Sequence, residues 1–326
     1  MKQVVVLAFN NCLTSSVIGV LDVFDIANNF WKIHKQTEQN FFQVKLTTVN
    51  GQAIRSFNLM PITPLLSIND VSQADLIIVP PVMDRIDQAL AENVALTPWL
   101  KDRHAQGSIL VSICTGIFFL AETGLLHDKT VTTNPLLAAL FQQRYPEIVL
   151  NLQRLFIDEN DILSAGPTYA FLDLIIYLVE KYCGLDVALQ CSKLLLHDKN
   201  RSSQAPYFFS HSSITHQDEE IKQVQQWMEQ HCTQTLTIES IAEHCHMSVR
   251  NLVRRFRSAT GETPLMYLQR LRVEFAKKKL ESTQMNVEAI TYQVGYTDAK
   301  SFGRLFKRYT SLSPSEYRKR FSSRLV

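Results

Sequence analysis

The sequence is poor in the residues that break up a chain or cross-link it. Its 326 residues include 10 glycines and 11 prolines, which excludes collagen-like and low-complexity proteins. The six cysteines are too few for a disulfide scaffold, and no two of them form a C-x-x-C pair. The longest apolar run, residues 108–121, is shorter than the roughly 20 residues of a membrane-spanning helix, and the N-terminus lacks a signal-peptide core. We therefore expect a cytoplasmic protein with no membrane partner.

Strand-like and helical patterns alternate through the first two hundred residues. Four apolar runs rich in β-branched residues have the length and composition of buried strands, at residues 4–9, 44–49, 76–79 and 109–113. Helical spacing is found at residues 17–30, 99–106 and 169–182. Continuous apolar strands that alternate with helices predict an α/β fold, in which a parallel sheet is covered on both faces.

The pattern changes near residue 198. Residues 198–217 have no hydrophobic period and are rich in Ser, Asn, Gln and His, which predicts a linker. Every later segment has a helical pattern, so we expect a first domain at 1–197 and an all-α domain at 218–326. The total charge of +2 conceals a division, because residues 1–217 carry −4 and residues 218–326 carry +6. The basic half is the one suited to phosphate contacts.

The helical half contains an internal repeat. A shift of fifty residues places Leu252 on Phe302, and upstream a shift of forty-nine places Ile238 on Val287. Two helices joined by a tight turn, present twice, form a duplicated helix-turn-helix. The second helix of each unit has an apolar side and a cationic side. The outward residues are Arg250, Val253, Arg254 and Arg257 in the first unit and Lys300, Gly303, Arg304 and Lys307 in the second.

This arrangement suits double-stranded DNA. A helix in the major groove needs one face against the protein core and another with long cationic side chains, which donate to guanine edges and phosphates. For a single helix of this kind, a solvated charged face is the ordinary alternative. Two helices that agree residue by residue favour DNA recognition.

The C-terminal sequence also resembles a known family. Over roughly residues 220–321 it is similar to the AraC/XylS-type DNA-binding domain. The most specific parts are the pattern G-Y-x-D-x-x-x-F-x-R-x-F-K from Gly295 and the run S-P-S-E-Y-R that ends at Arg318.

The resemblance implies two helix-turn-helix units that enter successive major grooves of a promoter, joined by a long helix at about 264–281. Arg254 and Arg304 are expected to contact bases. Ser311 stands where the family often has glycine, which affects the end of a helix rather than the fold. The residues to which the DNA-binding role is carried over are Arg250, Val253, Arg254, Arg257, Lys300, Arg304 and Lys307.

Cys114 follows an apolar strand and precedes a predicted helix that runs to about Glu122. A side chain on such a sharp turn is presented at the carboxyl end of the sheet, as in a nucleophile elbow. Open α/β sheets bind ligands at this end, and a helix N-terminus is expected to favour a thiolate. A buried cysteine that fills the turn is the alternative. The nearest histidine, His127, falls on a loop and is expected to be exposed.

Residues 3–197 resemble the class I glutamine-amidotransferase-like superfamily, and in particular the ThiJ/PfpI domain of GlxA-type AraC regulators. The matching stretches are SICTGIFFLAETGLL, VTTNP and SAGPTYAFLDL. The resemblance implies a flavodoxin-like sandwich. In catalytic members a histidine and a carboxylate accompany the cysteine, and Asn134 and Ser16 occupy their places here. Neither accepts a proton from a thiol near neutral pH, so we expect a sensor pocket rather than an enzyme. The expected pocket residues are Asn10, Cys12, Ser16, Pro81, Cys114, Thr115, Asn134 and Thr168.

Together these features predict a sequence-specific transcription regulator that responds to a small metabolite. The resemblance favours an activator, a homodimer and an effector that is amino-acid-derived or a quaternary amine, with RNA polymerase as a further candidate partner. No metal or cofactor is expected, because the spacing of His244, Cys245 and His246 fits no standard zinc site. Two alternatives centre on Cys114. One is a cysteine-dependent amidase or hydrolase with an appended DNA-binding domain, and the other is a redox sensor with Cys12 as its resolving thiol.

Overall fold

A computed structural model of the chain describes residues 1–198, 201, 203–208 and 216–322. The chain divides into two units, Met1–Gln204 and Ala205–Val326. Residues 199, 200, 202 and 209–215 of the predicted linker lie outside the described residues, as do residues 323–326 at the end of the predicted helical domain. Among the described residues, no helix combines the length and apolar composition needed to span a membrane.

The first unit has the α/β architecture that the sequence predicts. Its strands are β1 (Lys2–Leu7), β2 (Phe42–Thr48), β3 (Ile54–Arg55), β4 (Pro61–Ile62), β5 (Leu66–Ser67), β6 (Leu76–Val79), β7 (Ile109–Ile113), β8 (Thr130–Val131), β9 (Val149–Leu150), β10 (Phe156–Asp158) and β11 (Ile162–Ala165). Its helices are α1 (Thr14–Lys35), α2 (Ile86–Glu92), α3 (Leu96–Ala105), α4 (Ile117–Ala121), α5 (Ala138–Arg144), α6 (Ala170–Cys183) and α7 (Leu185–Leu194).

Seven of these strands form one sheet, in the order β10-β11-β7-β6-β1-β2-β5. All neighbours are parallel except the edge pair β10–β11. All four residues of β6 are completely buried. Because successive side chains of a strand point to opposite faces, this burial shows that both faces of the central sheet are covered.

The parallel strands bring four chain segments to one edge of the sheet. The loop after β1 contains Asn10 and Cys12, residues 80–82 follow β6, Cys114 follows β7, and residues 166–168 follow β11. Six of the eight predicted pocket residues therefore lie at the carboxyl edge of the sheet, whereas Ser16 lies in α1 and Asn134 follows β8 of a separate sheet.

The second unit is helical throughout its described part. Its helices are α8 (Glu219–His231), α9 (Ile238–His244), α10 (Val249–Thr260), α11 (Pro264–Ser282), α12 (Val287–Gln293), α13 (Ala299–Thr310) and α14 (Pro314–Phe321). Two hydrophobic cores lie along α11, one around Phe256 and one around Phe306. The first half of α11 contributes Leu268 to the first core, and its second half contributes Ala276 to the other. One long helix therefore joins two helix-turn-helix units, as the family resemblance implies.

The backbone shows where the repeat gains its extra residue. His246 and Gly295, forty-nine residues apart, both adopt the left-handed conformation in the turn, with φ of +54° and +77°. Ser248 and Asp298, fifty residues apart, both cap the following helix by accepting backbone N–H groups. The added residue of the second helix-turn-helix therefore lies in the turn, and Ser248 caps α10 as its residue type favours.

Ser311 and Gly261 end the two equivalent helices α13 and α10. Both residues are left-handed, with φ of +61° and +79°. A serine in this conformation carries a backbone strain that glycine avoids. The departure from the family's glycine therefore strains the end of α13 and leaves the fold intact.

Candidate DNA-reading helices and ligand pocket

The outward face of α10 forms a shallow groove. Arg250, Arg254 and Arg257 are exposed there, while Leu252 and Phe256 on the opposite side are completely buried. The apolar spacing of i and i+4 sets this division, because it turns one side of the helix to the core. The groove is lined by Val249, Arg250, Val253, Arg254, Arg257 and Ser258.

The outward face of α13 forms a second groove with contributions from other helices. Lys300, Arg304 and Lys307 are exposed, but Arg304 alone of these three is among the described residues that line the groove. The lining residues are Gln269, Tyr296, Ser301, Arg304, Leu305 and Arg308.

The two arginines expected to contact bases are held in the same way. Nη2 of Arg254 donates to Oδ1 of Asn251 at 3.0 Å, and Nη2 of Arg304 donates to Oγ of Ser301 at 3.2 Å. Each acceptor lies three residues before its arginine, one turn back along the helix. The fifty-residue repeat therefore extends from the residue types to the way in which each guanidinium is held.

Arg308 is a residue of this face that the sequence reasoning missed. Its Nη2 donates to Oε1 of Gln269 on α11 at 2.8 Å. Its equivalent in the first unit, Ser258, lines the groove of α10. The fifty-residue comparison could not have singled it out, because its equivalent is a serine rather than a second cation.

Arg255 lies between Arg254 and Arg257 in the sequence but has a different role. It donates to Asp218 from Nε at 2.6 Å and from Nη2 at 2.8 Å, and to Glu220 from Nη1 at 2.5 Å. The bond to Arg255 lowers the pKa of Asp218 below its ordinary value. Arg255 therefore fastens α8 to α10, and its guanidinium is occupied within the unit.

Cys114 occupies the turn that the sequence predicts. Its φ of +54° places it in the left-handed region directly after β7, which is the strained geometry of a nucleophile elbow. The side chain of Asn134 and both the backbone and side chain of Thr168 lie close enough to the thiol to act on its pKa. The structure therefore brings Cys114, Asn134 and Thr168 together.

The remaining pocket residues are joined to this group through Val82. Oγ1 of Thr115 donates to the carbonyl of Val82 at 2.6 Å, and Val82 pairs with Cys12 in an isolated antiparallel bridge. The carbonyl of Pro81 accepts from the backbone N–H of Leu13 at 3.0 Å. Val82 was absent from the expected pocket because its role comes from backbone pairing, which the residue type does not signal.

Ser16 and Asn10, two of the expected pocket residues, differ in burial and in hydrogen bonding. Ser16 is completely buried, and its Oγ has no hydrogen-bond partner among the described residues. Asn10 is exposed, and its Oδ1 accepts from the backbone N–H of Arg55 at 3.0 Å. Ser16 therefore retains a free hydrogen-bonding capacity in the interior, whereas Asn10 supports the neighbouring hairpin.

The expectation that Cys114 is a thiolate is wrong. Burial raises the pKa of its thiol above the ordinary value, because desolvation disfavours the charged form. The segment after it is a single 3-10 turn, Cys114–Gly116, followed by the five-residue helix α4, so little helix dipole acts on the sulfur. Burial likewise raises the pKa of Cys12 to about 11.

We expect iodoacetamide to alkylate Cys114 slowly in the native chain at pH 7.5, with a rate that still rises above pH 9. The reason is that the thiolate is the reacting form and burial keeps the thiol protonated. Peptide-resolved mass spectrometry measures the rate, and the same peptide in the chain unfolded with guanidinium is the control. A rate that is already constant below pH 7 would contradict this assignment.

The histidines near the first helix-turn-helix are stacked on a tryptophan. The rings of His231 and His244 lie 4.8 and 4.2 Å from that of Trp227, both nearly parallel to it. Among the residues that the structure describes, no cluster of three or more His, Cys, Asp or Glu side chains is placed to hold a metal ion. His127 is exposed beside Asp128, as expected.

The fold and these sites define a class of protein, a DNA-binding transcription regulator in which an α/β unit precedes a duplicated helix-turn-helix. The chain belongs to the DJ-1/PfpI family, whose model matches residues 2–180, and its helical unit is of the AraC type. A model described as a helix-turn-helix domain matches residues 241–320.

Relatives of known class agree with this assignment. The HTH-type transcriptional regulator CdhR of Pseudomonas aeruginosa is 26% identical over 307 residues, which cover 93% of this chain and 88% of CdhR. The HTH-type transcriptional activator RhaS of Salmonella schwarzengrund is 35% identical over 104 residues, 32% of this chain and 37% of RhaS. A crystal structure of an AraC family transcriptional regulator from Pseudomonas putida aligns with a TM-score of 0.52 and 21% identity, covering 60% of this chain and 100% of that one. At this identity the structural likeness shows the fold alone.

Proposed function

We propose that the helical unit reads promoter DNA through α10 and α13, while the α/β unit binds a small metabolite that controls this binding. The observation that carries the DNA part is the equivalence of Arg254 and Arg304, each exposed and held by a residue one turn back. Held guanidiniums lose little side-chain entropy when they donate to a guanine edge. The residues proposed to contact DNA are Arg250, Val253, Arg254, Arg257, Lys300, Arg304 and Lys307, with Arg308 added by the structure.

The pocket supports a ligand that forms hydrogen bonds without an ionic partner. Its eight proposed lining residues offer amide, hydroxyl and thiol groups and no charged side chain. The buried, unpartnered Oγ of Ser16 supplies one site that a polar ligand would satisfy. Amino-acid-derived or quaternary-amine metabolites are the class that the family resemblance favours.

We propose that the pocket is not catalytic. A thiol nucleophile needs a base within hydrogen-bond reach, and the groups that contact Cys114 are the amide of Asn134 and the hydroxyl of Thr168. Neither removes a proton at neutral pH. The raised pKa values of Cys114 and Cys12 also weigh against the redox-sensor alternative, because oxidation begins with a thiolate.

Four further parts of the proposal concern the regulator in its cell. The match to a transcriptional activator supports activation, for which RNA polymerase is the proposed partner. We propose a homodimer, and the exposed leucines Leu185, Leu189 and Leu194 of α7 supply an apolar surface for the contact. We also propose a cytoplasmic location, because the proposed partner is promoter DNA.

The experiment for the effector is a thermal-shift screen of the full chain against free amino acids, betaines and other small amines. We expect one ligand to stabilise the native state by about 2.7 kcal/mol when its concentration is a hundred times its Kd. Asn134→Ala should abolish the shift, because it removes the amide that contacts Cys114.

Asn50→Ala is the matched control. Oδ1 of Asn134 accepts from the backbone N–H of Leu136 at 3.1 Å, and Oδ1 of Asn50 accepts from that of Gln52 at the same distance. The two substitutions thus remove the same kind of turn, but Asn50 is not among the proposed pocket residues. If both variants keep the full ligand shift, the ligand binds elsewhere and the proposed pocket is wrong.

A further inference from the structure

The chain returns to the pocket just before it enters the second unit. Gln204 is the last residue of the first unit, and its side chain is completely buried. It belongs to no helix or strand, so its burial does not follow from a secondary-structure pattern. A buried primary amide requires partners for its hydrogen-bonding groups, and its surroundings show what it is held against.

The amide of Gln204 binds two segments of the first unit. Nε2 donates to Oγ1 of Thr132 at 3.0 Å and to the carbonyl of Leu152 at 2.8 Å, with the carbonyl of Thr133 at 3.4 Å. The backbone N–H of Gln204 donates to the carbonyl of Gln153 at 3.1 Å. The residue is therefore fixed through both its side chain and its backbone.

Thr133 connects these partners to Cys114. Oγ1 of Thr133 donates to the carbonyl of Cys114 at 2.9 Å, and Asn134 is the next residue along the chain. On its other side the amide lies against Gly166, where an added Cβ would be 2.1 Å from Oε1 of Gln204. Gly166 lies two residues before Thr168. The amide of Gln204 therefore contacts both the segment that leads to Asn134 and the segment that leads to Thr168.

The residues before Gln204 are fastened to the same region. Nη2 of Arg201 donates to Oδ2 of Asp173 at 2.7 Å, and Nε2 of His197 lies 2.8 Å from Oδ1 of the same carboxylate. Asp173 is in the first turn of α6, which begins two residues after Thr168. The chain before the second unit is thus attached near Thr168, through Asp173, as well as near Asn134, through Gln204.

The residues after Gln204 are fastened within the second unit. Ala205–Tyr207 form a 3-10 turn in which Pro206 is buried. The carbonyl of Phe208 accepts from Nζ of Lys277 at 2.5 Å, and Lys277 is itself buried in α11. Three residues therefore separate the buried amide of Gln204 from Phe208, which is anchored on the helix that joins the two helix-turn-helix units.

We propose that Gln204 is the residue that transmits the state of the Cys114 pocket to the helical unit. This proposal rests on the proposed function, in which an effector occupies that pocket. A ligand that moves either the Thr133 or the Gly166 segment removes partners from a buried amide, and the amide and its backbone must then shift. Because the following residues are anchored to α11, the shift is passed to the DNA-binding unit rather than absorbed in a free linker.

The experiment is a double-mutant cycle that needs no known effector. The probe is a DNA duplex selected from a random library with the wild-type full chain, and its Kd is measured for Asn134→Ala in the wild-type and Gln204→Met backgrounds. Methionine keeps the volume of the side chain and removes its hydrogen bonds. We expect Asn134→Ala to change Kd at least 5-fold in the wild-type background, as allosteric couplings of roughly 5–150-fold are typical, and less than 2-fold in the other. Asn50→Ala in both backgrounds is the control, because it removes the same kind of turn outside the segments that Gln204 binds.

A purely structural role for Gln204 predicts a different result, in which Gln204→Met lowers the unfolding temperature and leaves the effect of Asn134→Ala intact. Equal effects in both backgrounds, or no effect in either, would overturn the proposal. If Gln204→Met does not fold, Gly166→Ala expels the amide from the opposite side and replaces it in the cycle. Failure of the thermal-shift screen would remove the effector without changing these outcomes, so the two proposals fail separately.

Discussion

Arg254→Ala and Arg304→Ala should each weaken binding to the selected promoter duplex by about 1–3 kcal/mol, or roughly 5–150-fold in Kd. Each should also relax the sequence preference at one position, in successive major grooves. The physical reason is that an arginine held in place donates two hydrogen bonds to one guanine, and alanine leaves those acceptors without a partner. Repeating the binding-site selection with each variant measures both effects. Unchanged base preference in both variants would refute the assignment of these arginines.

Two controls separate base reading from charge. Lys319→Ala removes an exposed cation of α14 that lies outside both grooves, and it should leave the sequence preference unchanged. Lys307→Ala removes a proposed phosphate contact, so it should weaken binding to all sequences alike and reduce the salt dependence by about one counterion. A loss of preference in Lys319→Ala would show that overall charge, rather than Arg254 and Arg304, sets the measured specificity.

Arg272→Ala should lower the free energy of unfolding of the helical unit by about 3 kcal/mol, because the buried carbonyl of Cys232 and the partly buried carbonyl of Gln234 lose a charged donor. Arg272 of α11 donates from Nε to the carbonyl of Cys232 at 2.9 Å and from Nη2 to that of Gln234 at 2.8 Å. Its guanidinium also lies 5.2 Å from the ring of Tyr296, in the turn of the second helix-turn-helix. The side chain of Arg272 therefore connects the segment after α8 to the turn that precedes α13.

Arg272→Ala should also alter DNA binding. We expect it to loosen the spacing between the reading helices α10 and α13 rather than to remove a contact with DNA. With the tie removed, we expect the variant to accept wider variation around the spacing of about 10 base pairs that separates successive major grooves. Urea unfolding followed by circular dichroism measures the stability, and selection with spacing libraries measures the tolerance.

Arg270→Ala is the matched control for Arg272. Arg270 is equally buried on the same helix, but its Nη2 donates to Glu262 at 2.6 Å and its guanidinium lies over Tyr267, which belongs to the first core. It should lower stability and keep the preferred spacing. If Arg272→Ala also keeps the preferred spacing, α11 alone sets the spacing between α10 and α13.

The sequence predicted best those elements whose pattern is local. The bounds of β6 and β7 coincide with the predicted runs at 76–79 and 109–113, because a buried parallel strand is a continuous apolar segment. The helix α7 was missed, since it starts directly after Gly184 and its exposed leucines obscure the helical period. The pairing of α10 with α13 was predictable because duplication supplies a second, independent copy of each position.

Residues that depend on tertiary contact could not be found in this way. Gln269 of α11 and Arg308 of α13 form a hydrogen bond although they are thirty-nine residues apart in the chain. Gln204 lies in a segment without any period, and its burial comes from Thr132 and Leu152, which precede it by 72 and 52 residues. The charge state of Cys114 was predicted wrongly because the turn gives its position and the surrounding packing gives its desolvation.

The position of the extra residue in the second turn also bears on how the gene could have changed. One added codon inside α13 would rotate every later side chain of that helix by about 100°, which would carry Arg304 away from the groove and Phe306 out of the core. The backbone instead places the added residue between Gly295 and Asp298. Two residues lie between these positions, whereas Met247 alone lies between the equivalent positions of the first helix-turn-helix. Small insertions and deletions in this turn are therefore the changes that the duplicated halves can accept while their sequence preferences diverge.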